Sequence, residues 1–149
     1  MTRVNCNINV KNLTDEHLLA EHREIKRIPT HFNNHGIKKA IPEFTLGKGH
    51  VLFFLDKPLY TLVRYNQIYK ECIKRGFDIQ NYSENWACYP PHMFMHGPFD
   101  KLYTPGDRER SLLVERISSR IIASYNKGNI HHYYRKALTQ EQALQLLIK

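Results

Sequence analysis

The sequence predicts an all-α fold: a compact single domain (1–149) of about three main helices, long connecting loops and an extended N-terminal arm packed against helices. Three observations predict it. Apolar residues recur at helical spacing from Leu59 to Arg75 and from Asp107 to Tyr125. A shorter helix is written from Asp15 to Arg27, behind Thr14 as cap and with Asp15 and Glu16 in the first turn, where the helix dipole favours anions. The weak alternation Val4, Cys6, Ile8, Val10 has no second strand of comparable clarity to pair with until Val51.

In chain order, Pro29 is expected to stop the first helix, and Ile28 to Lys48 to be loop, carrying Asn33-Asn34, Gly36, Pro42, Gly47 and Gly49. Lys38, Lys39 and Lys48 give that loop a phosphate-contacting edge. The run Val51 to Leu55 is too short for periodicity to separate a buried strand from the opening of a helix. Leu59 to Arg75 places Leu62, Tyr65, Tyr69 and Cys72 on one face, with Gly76 closing the helix. Phe77 to Gly106 is irregular and aromatic, including Trp86, Tyr89, Phe94 and Phe99, and is ordered only if those rings pack. The next helix turns Leu113, Ile117 and Ile121 inward and carries Arg116 and Arg120 on another side. Thr139 with Gln142 forms a capping box for a last short helix, whose apolar side is Ala143, Leu144, Leu147 and Ile148.

A chain of 149 residues is long enough for a core without disulfides or metal. Cys6, Cys72 and Cys88 are an odd number without a close pair, and read as reduced thiols of a cytoplasmic protein. No apolar run is long enough to span a membrane, and no signal-peptide core opens the chain. The net charge of +8, from 22 Lys and Arg against 14 Asp and Glu, suits a polyanionic partner. Nine tyrosines interleaved with these cations suit nucleobases better than lipid.

On a helix turning about 100° per residue, His17, Ala20, Glu24 and Arg27 share a face, Arg23 sits at its edge, and Leu18 and Ile25 fall elsewhere. Spacing alone makes this a solvated face with a Glu24–Arg27 pair worth about 0.2–0.5 kcal/mol. A second reading comes from the neighbouring N-terminus. Thr2 is small enough for Met1 to be removed, which leaves an α-amine with a pKa of about 7.7–8.0 and a substantial neutral fraction. Neutral amines attack electrophilic carbon.

Other constellations compete. His31 with His35, and His92 with His96, have the i, i+4 spacing that can hold a metal on a helix, but Asn33-Asn34, Gly36, Pro90-Pro91 and Gly97 argue against helical geometry at either. No cysteine pair supports structural zinc, so no metal site is expected. Phosphate-cradling, dinucleotide and nucleophile-elbow motifs are lacking. Tyr133, Tyr134 and Lys136 form either a stacking and phosphate-binding strip or a tail tucked against the core.

Thr2-Arg3-x-Asn5, His17-Leu18-x-Ala20-Glu21-x-Arg23-Glu24 and Arg27, then Leu46-Gly47-x-Gly49-His50-Val51-x-Phe53-Phe54-x-Asp56-Lys57, Glu71-Cys72-x-Lys74-Arg75-Gly76-Phe77 and Tyr133-Tyr134-x-Lys136-Ala137, occur in order along nearly the whole chain. Together they resemble the bacteriophage pyrimidine-dimer DNA glycosylase and abasic-site lyase family, of the phage endonuclease V type. The resemblance implies a helical domain whose arm threads between helices and brings the Thr2 amine beside Glu24. It implies Thr2 as nucleophile and Glu24 as catalytic carboxylate, with Arg3, His17, Arg23 and Arg27 engaging DNA. The implied partner is double-stranded DNA carrying ultraviolet lesions or abasic sites. No cofactor and no membrane are implied, the chain acts as a monomer, and the compartment is the cytoplasm of a bacterium or phage-infected host.

The chain also departs from the family. Glu16 replaces a Gln and adds an anion near the expected DNA face, and Lys26 replaces a Pro. The loop between Arg27 and Gly47 is shorter. Ile130-His131-His132-Tyr133-Tyr134 stands where Trp-Tyr-Lys-Tyr-Tyr is the family pattern, which bears on lesion preference more than on chemistry. The helix after Thr139 extends past the usual end. Two rivals remain open: a non-catalytic DNA-binding domain, and a metal-dependent nuclease built on the histidine pairs.

Overall fold

The computed structural model describes residues 4–95 and 103–149, so Thr2, Arg3, His96 and Phe99 lie outside the described residues. The elements in order are α1 (Asp15–Glu24), α2 (Arg27–His35), α3 (His50–Phe54), α4 (Pro58–Lys74), α5 (His92–Met95), α6 (Asp107–Asn126), a small hairpin of β1 (His132–Tyr133) and β2 (Lys136–Ala137), and α7 (Gln140–Leu146). Short 3-10 helices lie at Val10–Asn12 and Ser83–Cys88. The fold is all-α, as the periodicity predicts.

The first helix is shorter than predicted, and a second helix occupies residues expected to be loop. Proline lacks an N–H, and its ring collides with the carbonyl four residues earlier. Pro29 therefore breaks the helix at Ile25, whose carbonyl is taken by the Ile28 N–H at 3.1 Å. The chain then restarts as α2, with Pro29 in a first turn where no N–H needs a partner. The run after Gly49 resolves as helix α3, not strand. Thr14 caps α1 by accepting from the His17 N–H, and Thr139 and Gln142 form the predicted reciprocal box on α7. Helix α4 ends in a Schellman turn: Phe77 N–H to the Cys72 carbonyl at 3.0 Å, Gly76 N–H to Ile73 at 2.9 Å, and Gly76 at φ 84°.

Leu18, Ile25, Phe54, Tyr65, Ile68 and Trp86 meet the inward stripe Leu113, Ile117 and Ile121 of α6 in one core. Trp86 orders the aromatic middle by donating its indole N–H to Thr61 Oγ1 at 2.9 Å, with its ring 5.2 Å from that of Tyr65. Cys6 and Cys72 are buried free thiols pushed up to about 12 by burial, and so are not nucleophiles near neutral pH. On α7, Ala143 and Leu147 are buried and Leu144 packs against the core as predicted, whereas Leu146 is also buried and Ile148, past the helix end at Leu146, is exposed.

The arm from Val4 to Leu13 pairs with no strand among the described residues. Val4, Ile8 and Leu13 are fully buried, yet its backbone still needs hydrogen-bond partners. Side chains supply them. Tyr60 donates to the Cys6 carbonyl at 2.7 Å, Arg64 to Ile8 at 2.7 Å, Arg110 to Asn7 at 2.8 Å, and Arg75 to Leu13 at 2.8 Å and Val10 at 3.2 Å. Arg64 is in turn paired with buried Glu21 through two bonds of 2.8 and 2.9 Å, and Asn5 donates to the same carboxylate at 2.8 Å.

Candidate active site and DNA-facing surface

Glu24 is the last residue of α1, where a helix places its negative end and an anion is unfavourable. Cations are near it in the chain and in the fold. Arg23 and Arg27 flank it in sequence and are exposed on either side of the α1–α2 break, and Arg116 of α6 lies within its electrostatic range. The Arg116 guanidinium is lowered from the usual arginine range first by burial and then by Arg120, while Glu24 acts in the opposite direction. It remains charged, and its Nη1 donates to the Leu46 carbonyl at 2.7 Å. Glu24 Oε2 is buried and has no hydrogen-bond partner among the described residues. An unsatisfied buried carboxylate oxygen is costly, so it marks a place built to receive a donor.

The break in α1 alters the predicted face. Glu24 closes one helix and Arg27 opens the next, so the two do not form a single helical stripe. His17 lies at the other end of α1 and is largely buried, its ring edge-on to that of His131 at 4.9 Å. His131 is lowered from the usual imidazole range chiefly by burial, and its Nδ1 lies 2.8 Å from the Thr14 hydroxyl.

The carboxylates at the start of α1 are used inside the protein. Glu16 accepts from the His132 N–H and faces His132 Nδ1, both at 2.7 Å, so it is answered locally and does not stand as a bare anion. Asp15 accepts from the Tyr134 and Arg135 N–H groups at 3.1 and 2.7 Å and pairs with Arg75 at 2.9 Å. Tyr133 and Tyr134 lie against the Arg75 guanidinium at 4.6 and 5.0 Å, and the Tyr134 hydroxyl donates to Glu71 at 3.0 Å. Both tyrosines are half-buried, whereas Lys136 is exposed beside them.

His31 and His35 do share a helix, contrary to expectation, because α2 runs through Asn33-Asn34; their rings are 4.8 Å apart. His31 is lowered from the usual imidazole range by burial and then by His35. Among the described residues no group of three or more His, Cys, Asp or Glu could hold a metal ion. His31 and His35 instead border a cleft of about 280 Å³ with Lys38 and Ile41. Sequence reasoning gave no role to Glu21, His50 and Arg75, although they stand in the blocks that carry the resemblance, and did not name Arg64. Each is polar and buried, with no local pattern to reveal its partner.

A helical scaffold that sets a half-buried carboxylate with one buried, unpartnered oxygen within range of arginines, on a basic chain, suits an enzyme acting on a polyanion. The family model for pyrimidine dimer DNA glycosylases matches residues 1–85, which include the arm, α1 and Glu24. The chain belongs to that family. It is a DNA repair glycosylase, and its substrate is DNA. Arg116, Arg120, Tyr133, Tyr134 and Lys136 lie beyond the matched residues. No helix among the described residues is long and apolar enough to cross a membrane.

Proposed function

We propose that the enzyme releases the damaged base at ultraviolet pyrimidine dimers and then cuts the strand, with the Thr2 α-amine as nucleophile and Glu24 as its partner. Removal of Met1 frees the amine. Its lone pair attacks the deoxyribose C1′, the bond from C1′ to the base breaks, and the sugar ring opens to a protonated Schiff base on Thr2. Loss of a proton from C2′ then expels the 3′ phosphate by β-elimination, and hydrolysis of the Schiff base returns the amine. The scheme calls on no metal or other cofactor.

The observation that carries this reading is the half-buried Glu24 carboxylate, one oxygen of which is buried without a hydrogen-bond partner among the described residues and within electrostatic range of Arg116. As an anion it stabilises positive charge developing on the sugar and exchanges protons with the amine and C2′. Arg3, Arg23 and Arg27 contact phosphates around the lesion, His17 bears on the same face, and Lys136 with Tyr133 and Tyr134 meets the flanking duplex. One chain suffices, acting as a monomer in the cytoplasm.

Borohydride reduction on an oligonucleotide with one thymine dimer tests the scheme. It should leave a covalent complex that maps to Thr2 and disappears when the N-terminus is acetylated. Active, Met-processed protein that never traps would overturn the amine mechanism. Glu24→Gln should bind dimer DNA but release no base, and normal turnover in that variant would move the role to another carboxylate. Cleavage should survive EDTA. Truncating Arg23 or Arg27 should each reduce the salt dependence of binding by about one counterion.

A further inference from the structure

His50 opens α3 and is almost fully buried. Its Nδ1 lies 2.8 Å from the Thr45 carbonyl, and its Nε2 lies 2.8 Å from the backbone nitrogen of Val4. A carbonyl only accepts and a backbone N–H only donates, so these two contacts assign the proton to Nδ1 and leave Nε2 as the acceptor. The ring is held by its surroundings: Phe44 and Phe54 stand edge-on to it at 5.5 and 5.2 Å. Gly49 delivers it at φ 105°, where an added Cβ would come within 3.3 Å of the Thr45 methyl. Aromatic walls, a glycine at positive φ and two bonds of opposite polarity thus fix one imidazole acceptor under one N–H of the arm.

We propose that His50 is a positioning residue for the Thr2 amine, acting through the Val4 N–H. The inference rests on the Thr2 mechanism above. One residue, Arg3, separates Thr2 from Val4, and extended chain spans at most about 3.6 Å per residue, so the chain keeps the two Cα atoms within about 7 Å of each other. Among the described residues, the other bonds that tie the arm to the helices and loops around it fall further along, on the Asn5 side chain and on residues from Cys6 onward. The His50 bond holds the backbone nearest the nucleophile. Its purpose is to restrict the amine's search, which is the kind of positioning whose loss slows a reaction without weakening substrate binding.

Two polar variants separate this role from plain stability. Gln reaches to the Nε2 position and can still accept from Val4, whereas Asn reaches only to the Nδ1 position and keeps just the Thr45 side. With saturating abasic-site DNA, His50→Asn should form the borohydride-trapped complex about tenfold or more slowly. His50→Gln should stay within about threefold of the unmodified protein, and both should bind a non-cleavable abasic analogue with unchanged affinity. Equal rates for Asn and Gln, whether both fast or both slow, would overturn the proposal. If His50→Asn does not unfold cooperatively, a semisynthetic chain with an ester replacing the Arg3–Val4 peptide bond removes the donor alone. It should show the same slowing, and wild-type trapping by that chain would equally overturn the role. Acetylating the N-terminus of the unmodified chain tests the underlying mechanism by itself: continued trapping would remove Thr2, and His50's purpose with it, whatever the variants do.

Discussion

The two ends of the chain are both held by side chains from the helices, but by opposite chemistry. Residues 4–13 present carbonyls, and cations and hydroxyls reach in to donate to them: Tyr60, Arg64, Arg75 and Arg110. Residues 131–135 present N–H groups, and the carboxylates of Asp15 and Glu16 accept from them. The N-terminal arrangement is deep, since neither Arg64 nor Glu21 exposes more than 5% of its side chain. The C-terminal one is shallower, with 39% of both the Glu16 and His132 side chains exposed. Deep burial fixes residues 4–13 against the helices, while the hairpin is held more lightly. Arg75 joins the two, donating to the arm, pairing with Asp15 and lying against both tyrosines.

The largest expected effect tests the depth of the N-terminal arrangement. Glu21→Gln leaves Arg64 buried without a counter-ion and should cost about 3–5 kcal/mol in urea unfolding. A Glu21→Met/Arg64→Met chain should be less damaged than that single variant; if it is worse, the pair stabilises as charge and not only as mutual neutralisation. Next is the residue shared by both ends. Arg75→Lys keeps the charge but loses the planar fork, and should cost roughly 2–4 kcal/mol while weakening both the arm and the hairpin. Hydrogen exchange that rises at only one end would show that Arg75 does not couple them.

A smaller, pH-dependent effect should separate the ends. Burial holds the folded His131 pKa below its unfolded value, so the unfolded chain binds more protons as pH falls through about 6.5. The stabilising contribution is therefore present above that pH and lost below it. Melting temperature should decline from pH 7.5 to 5.5, and less steeply in His131→Gln. His22, lowered chiefly by burial, adds to the same decline, whereas the Arg64–Glu21 pair is held at the other end by two hydrogen bonds. An unchanged acid decline in His131→Gln would show that the C-terminal segment is not the more pH-sensitive end. The smallest effect is expected at α7: Thr139→Ala removes its cap and should cost about 1 kcal/mol without altering DNA cleavage. Lost cleavage there would mean that the terminal helix supports the site.

Much of the fold was legible locally. The stripes of α4 and α6, the Thr14 and Thr139 caps and the Gly76 stop are written in neighbouring residues, because periodicity and capping act within a few positions. Pro29 was legible as a breaker but not in its effect, since the collision falls four residues upstream and the chain then restarts as α2. The hairpin was not legible at all. Its turn residues, Tyr134 and Arg135, sit at φ 51° and 68°, where Asn-Gly is the usual signal. That conformation is held by Asp15, 119 and 120 positions away in sequence.

By itself, then, the sequence determined the helical class, the basic character suited to DNA, and Glu24 flanked in sequence by Arg23 and Arg27. The tertiary structure alone decided that Glu21, His50, Arg64 and Arg75 are interior groups, that Glu16 is spent on the tail, and that Arg116 faces Glu24. The physical reason is that helical periodicity is a property of adjacent residues, whereas a buried polar group is defined by its partner. These partners are brought together from 43 positions apart in Glu21–Arg64 to 116 in Glu16–His132, by packing and not by pattern.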